Sequence, residues 1–172
     1  MKRHDSTHIM SVCFLFTPDI EEVLMIHKLR GPYPETWNGV GGKFNMELDN
    51  ISNDPRINMK ACAKREIFEE TSLDIDTSLL CWIVTETFPP GEQPPWGTKG
   101  KPLELWVYCA VVDKDTIKQV ENETLKWFDI DELLNDKVYD ETLAGSGNIP
   151  YFINLSKIYL TNLMKDVDAC EN

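Results

Sequence analysis

Apolar residues occur in runs punctuated by turn formers, and the runs set out the elements. Residues 8–16 (HIMSVCFLF) and 22–28 (EVLMIHK) flank Thr17-Pro18-Asp19, which predicts two strands joined by a short turn. Residues 79–88 (LLCWIVTETF), 102–112 (PLELWVYCAVV) and 125–130 (LKWFDI) predict three more. Between these groups the period changes. Met59, Ala63 and Ile67 recur at a spacing of four with Cys62 alongside, which is a helical stripe. Asp54-Pro55 supplies an N-cap and a first-turn proline, so the helix is expected to run to about Ser72. Asp131 is the expected cap of a short helix through Leu134. Phe152, Leu155, Tyr159, Leu160 and Leu163 predict an amphipathic helix over 150–165, with a frayed tail at 166–172.

The segments between these elements are informative too. Residues 29–37 and 89–101 are rich in Gly and Pro and read as loops. Residues 38–44 (NGVGGKF) are too glycine-rich for an ordinary strand, so the backbone is expected to approach another group closely there. Residues 45–54 are polar and rich in Asn and Asp, hence a loop. The order of strands, helix, strands, helix predicts one α/β layered domain with a mixed sheet over residues 1–172.

Composition narrows the classes. With 42% hydrophobic residues the chain can bury a core. A net charge of −12 leaves no surplus of cations for phosphate backbones, so a nucleic-acid partner is not expected. No apolar run approaches the ~18 residues a membrane span needs, and Met1–Met10 carries no signal-peptide core. The five cysteines (13, 62, 81, 109, 170) form no CxxC pair and read as reduced thiols of a cytoplasmic protein.

The candidate chemistry lies in Arg65-Glu66-Ile67-Phe68-Glu69-Glu70. On a helix, Glu66, Glu69 and Glu70 share one face, since i, i+3 and i+4 are neighbours. Clustered carboxylates repel one another, and a divalent cation among them relieves that repulsion. Arg65 lies one turn before Glu69 and can hold a carboxylate in a bidentate fork. The plainer alternative is a solvated helix face with Glu–Arg pairs.

Arg65-Glu66-Ile67-Phe68-Glu69-Glu70-Thr71-Ser72-Leu73, with Gly41-Gly42-Lys43 upstream, resembles the box of the Nudix hydrolases. That pattern reads Gly, five residues, Glu, seven residues, Arg-Glu-aliphatic-x-Glu-Glu-x-Gly-aliphatic. The box here spans about 42–73. Two departures stand out. Ser72 replaces a glycine, and seventeen residues separate Glu47 from Arg65, so an insertion of about ten residues extends the loop around 48–57. Glu47 is therefore either a displaced ligand or a loop surface residue.

The resemblance implies a single-domain α/β/α sandwich with a mixed β-sheet. It also implies Mg²⁺- or Mn²⁺-dependent hydrolysis of nucleoside diphosphates linked to another moiety. It assigns Arg65, Glu66, Glu69 and Glu70 as catalytic, and Gly42 (through its carbonyl), Glu66, Glu69, Glu70 and a loop acid, Glu121 or Glu123, as metal ligands. Lys43 would pair with phosphate, or is simply a solvated lysine.

Trp37-Asn38-Gly39 resembles the MutT-like subgroup that hydrolyses oxidised purine nucleoside triphosphates, in which the asparagine pairs with the base. The likeness extends weakly to Trp127, Tyr139 and Asp140, as stacking and hydrogen-bonding groups. Core packing for Trp37 and Trp127, and a turn role for Asn38, are equally open. Dinucleoside polyphosphates, ADP-ribose, sugar nucleotides and capped RNA are alternative substrates. A nucleotide-binding sensor without turnover and an interaction protein with an acidic surface are alternatives of another class. No cysteine matches the catalytic cysteine of the isoprenoid diphosphate isomerases in the wider superfamily, because Cys62 falls on the apolar stripe. A monomer or a homodimer acting on a small nucleotide is expected.

Overall fold

The computed structural model describes residues 7–29, 33–90, 101–120, 123–135, 142–144 and 147–170, with side chains as far as 167. Its centre is β1 (His8–Phe16), the apolar run that opens the sequence. Strand β5 (Leu103–Val111) lies parallel to β1 along its whole length, from His8 opposite Leu103 to Phe16 opposite Val111. On the other edge β1 first meets β2 (Glu22–Lys28), antiparallel, with Leu15 opposite Leu24. Strand β2 also pairs with β3 (Thr36–Asn38) and β6 (Thr124–Asp129), and β4 (Cys81–Phe88) closes the far edge on β5. The six-stranded sheet is mixed, in the order β3-β2-β1-β5-β4 with β6 on β2.

Helices cover both faces, which is why β1 is apolar throughout rather than alternating. Val12, Phe14 and Phe16 point to the face covered by α2 (Ile130–Asn135) and α3 (Asn148–Cys170). Cys13 and Leu15 point to the face covered by α1 (Pro55–Thr71), packing with Met59, Cys62, Ala63 and Ile67, the predicted stripe. The fold is the expected α/β/α sandwich.

Three boundaries differ from the sequence expectation. Strand β4 begins at Cys81 because Thr77–Leu79 wind into a 3₁₀ turn capped by the Asp76 side chain. The cap of α2 is Asp129, whose Oδ1 accepts the Glu132 N–H at 2.8 Å; the Asp131 carboxylate instead accepts from Lys157 at 2.8 Å. Helix α3 extends to Cys170, beyond the predicted fray point, because 161–170 contain neither Gly nor Pro to stop it. No described helix is long and apolar enough to cross a membrane.

The glycine-rich segment does approach its neighbour closely. After β3 the chain turns alongside β1, where Cys13 N–H donates to Val40 O at 2.7 Å and Ser11 N–H to Gly42 O at 2.9 Å. A side chain on Gly41 would run into the Ser11 carbonyl, so only glycine fits there.

Candidate active site

Helix α1 starts as its sequence dictates. The Asp54 side chain accepts the Arg56 N–H at 2.9 Å, and Pro55 fills the first turn, where no donor is needed. It ends at Ser72, which is left-handed with φ 58° and donates its N–H to Phe68 O at 2.9 Å. The position does need a positive φ, so serine stands there at some cost.

The extended loop is bound to α1 through its own polar groups. Asn58 of α1 accepts the Ser52 N–H at 2.8 Å and donates to Asn50 Oδ1 at 3.0 Å and Ser52 O at 2.8 Å. Asn45 N–H donates to Asp49 Oδ2, and Asp49 N–H to Asn45 O, each at 2.8 Å. This closure delivers Asp49, 1% exposed, to Arg65. The guanidinium then holds Asp49 in a fork, Nε to Oδ1 and Nη2 to Oδ2, both at 2.8 Å. Burial raises the Asp49 pKa, but the Arg65 hydrogen bonds and charge together with the Asn45 N–H outweigh it and hold the carboxyl below its usual value.

The fork of Arg65 is therefore filled by a loop aspartate, not by a helix glutamate. Its remaining donors reach Lys43 O at 2.9 Å, Glu66 Oε1 at 2.8 Å and, loosely, both oxygens of Glu69 at 3.2 and 3.3 Å. Glu47 is an exposed loop residue whose N–H donates to Asn45 Oδ1. Asp49 is the residue that sequence spacing missed. Its only signal was an acid within the insertion, two positions past Glu47.

The three glutamates occupy graded environments. Glu70 is 11% exposed; its Oε2 accepts the Gly41 N–H at 2.8 Å and its Oε1 accepts from Lys28 Nζ at 2.7 Å. Glu66 lies over Gly42 so closely that any Cβ there would strike both carboxylate oxygens. Burial raises the pKa of Glu66 and of Glu70, with Arg65 and Lys28 respectively opposing the rise. Glu69 is 52% exposed at the open end. Among the described residues no group of three acidic, histidine or cysteine side chains is drawn together as one ligand set. Three carboxylates repel, and here Lys28 pairs with Glu70 while Arg65 is shared by Glu66 and Glu69.

Comparison with known proteins decides the family. The NUDIX domain model matches residues 7–144. The chain belongs to the Nudix family. No curated protein matches it. Solved structures share the fold at low identity. A MutT/nudix family protein of Enterococcus faecalis is 19% identical with a TM-score of 0.53, over 75% of this chain but only 45% of that one. The dihydroneopterin triphosphate pyrophosphohydrolase of E. coli is 18% identical with a TM-score of 0.59, over 88% and 95% of the two chains. The NUDIX domain of Shewanella oneidensis NrtR, solved with ADP ribose, is 12% identical with a TM-score of 0.61, over 92% and 90%. NrtR is also solved with a 27mer DNA.

The Nudix donor set suits a hard divalent cation. It offers carboxylate oxygens of Glu66, Glu69 and Glu70 beside a backbone stripped of side chains at Gly41 and Gly42. The carbonyl on the glutamate side is that of Gly41, which accepts from Lys28 Nζ at 2.8 Å. The Gly42 carbonyl points the other way, to Ser11 N–H, because carbonyls alternate along a paired segment.

The remaining expected residues are dispersed. Lys43 is exposed, with its backbone carbonyl on Arg65. Asn38 is half-buried in β3, its Oδ1 accepting the Gly39 N–H at 2.8 Å. Trp127 packs on the α1-side core with Lys114 over its ring, and Trp37 packs edge-on against Phe128 at 4.9 Å. Glu123 precedes β6 with its N–H on Val120 O at 3.2 Å, and among the described residues no hydrogen bond links its carboxylate to the helix. Glu121, Tyr139 and Asp140 lie outside the described residues. Cys62 is core filler: it contacts Ser11 Oγ at 3.5 Å, and burial pushes its thiol up to about 12.

Proposed function

We propose that the chain hydrolyses a phosphoanhydride bond in a nucleoside diphosphate linked to another moiety, with Mg²⁺ or Mn²⁺ held by Glu66, Glu69 and Glu70. The observation that carries this reading is the buried carboxylate of Glu70 and the largely covered one of Glu66, set one turn apart against the bare backbone of Gly41 and Gly42. Burying carboxylates is costly, and apolar side chains of similar size would serve packing better. When bound, a divalent ion neutralises the diphosphate and lowers the pKa of attacking water.

The chain's own residues supply orientation and a proton acceptor. Asp49 locks Arg65, and Arg65 fixes Glu66 and restrains Glu69. One of the helix glutamates would double as the acceptor of the water proton. Lys43 is exposed beside Arg65, which takes its carbonyl, and would pair with phosphate.

For the nucleoside we favour an oxidised purine triphosphate, converted to monophosphate and pyrophosphate, on the strength of Asn38. The Asn38 Oδ1 is engaged by Gly39, so its Nδ2 is the group left to read a base. Dinucleoside polyphosphates, ADP-ribose and sugar nucleotides remain the comparison substrates. The negative charge continues to argue against a nucleic-acid backbone as partner.

The test is hydrolysis of a nucleotide panel with Mg²⁺ and product identification, alongside Glu70→Gln. Turnover is expected to fall by about 10²–10⁴-fold in the variant, with its circular dichroism unchanged. Undiminished turnover in Glu70→Gln would remove the assignment. Ligand-induced thermal shifts without product release would point to a nucleotide sensor instead.

A further inference from the structure

Lys28 ends β2, and its ammonium sits between two oxygens of the site. It donates to Glu70 Oε1 at 2.7 Å and to Gly41 O at 2.8 Å. Glu70 in turn accepts the Gly41 N–H at 2.8 Å, so the three groups close a ring. Lys28 is 28% exposed, so its side chain remains partly open to solvent. A carboxylate oxygen and a backbone carbonyl presented to one cation are the ligand types a hard metal uses.

We infer that Lys28 is a built-in counter-ion for Glu70 that competes with the divalent cation. It is a positioning residue: without metal, it keeps a buried carboxylate paired and the Gly41 backbone in place. A buried carboxylate without a partner is destabilising, and one ammonium with two short hydrogen bonds supplies that partner. The same contacts make metal binding a competition, because a divalent cation on Glu70 Oε1 and Gly41 O would sit against the Lys28 ammonium and repel it. The freed ammonium is tethered beside the site, where it can meet a phosphate oxygen. This rests on the proposal that the helix glutamates take a divalent cation.

The competition has a direction that a purely structural lysine lacks. If Lys28 only braced the Gly41 backbone, removing its charge would loosen the site and weaken metal binding. If it competes, removing the charge tightens it. Lys28→Gln keeps a donor for Gly41 O and drops the charge, whereas Lys28→Arg keeps the charge. Mn²⁺ titrations followed by the electron paramagnetic resonance of the free ion are expected to show about tenfold tighter binding in Lys28→Gln and no gain in Lys28→Arg. The metal-free Lys28→Gln protein is expected to melt below wild type, with a larger Mn²⁺-induced rise.

A second measurement needs no variant. Acetylation of Lys28 in the wild type, read by mass spectrometry, is expected to accelerate when Mg²⁺ alone is added. Unchanged or weaker Mn²⁺ binding in folded Lys28→Gln, or Mg²⁺-independent acetylation, overturns the inference. Absence of Mn²⁺ binding to the wild type would instead overturn the underlying metal assignment.

Discussion

The two faces of the sheet are built on different rules. On the α3 face the buried layer is Phe14, Phe16, Phe152, Ile153 and Leu160. On the α1 face the apolar layer of Met59, Ala63 and Ile67 gives way to buried polar groups: Ser11, Asp49, Asn58, Glu70 and Thr71. Apolar packing is non-directional and tolerates many partners. Buried polar groups each need a particular partner, so Asp49 requires Arg65 and Glu70 requires Lys28 and Gly41. Both faces bury an apolar core, and the α1 face adds oriented charge to it.

Substitutions separate the two faces. Phe152→Ala should produce the largest stability loss, about 3–5 kcal/mol, through a cavity under α3. Chemical denaturation would measure it, and turnover per folded molecule should stay within about twofold of wild type, because the cavity leaves the α1 face untouched. A matching loss of specific activity would mean the faces are coupled.

Asp49→Asn should cost less, about 2–3 kcal/mol at neutral pH, because Arg65 keeps Glu66, Glu69 and the Lys43 carbonyl. The cost should depend on pH. Asp49 has a lowered folded-state pKa, so its contribution is present above the ordinary value of 3.8 and is lost as pH falls through the folded value. The stability gap between wild type and Asp49→Asn should therefore close below pH 3.8, and a constant gap would remove the ion-pair account. Ser72→Gly should give the smallest effect, a gain of about 0.5–1 kcal/mol in melting experiments, by relieving the left-handed serine. A loss there would mean that the serine side chain holds the helix end.

Much of this was legible in the chain because local signals agreed with the fold. The Asp54-Pro55 start, the Met59–Ala63–Ile67 stripe and the glycine-rich approach to β1 each follow from backbone chemistry within a few residues. What stayed hidden depends on long-range contact. That Asp49 rather than Glu47 reaches Arg65 follows from how the loop folds onto Asn58, which residue spacing does not encode. Lys28 meets Glu70 across 42 positions of sequence, through the pairing of β2 with β3 and the turn beside β1. The carbonyl direction of Gly41 against Gly42 likewise depends on the register with Ser11. The α2 cap lies at Asp129, two residues before the expected Asp131, because the two aspartates are chemically equivalent as caps.

We propose that Glu66, Glu69 and Glu70 share a divalent cation beside the Gly41 carbonyl. Crystals soaked in Mn²⁺ and recorded at the manganese edge test it most directly. Anomalous density within coordination distance of those carboxylates, with Glu69 turned inward from Arg65, is the predicted result. An ordered site in which Glu70 still holds Lys28 and no anomalous density lies nearby would contradict it.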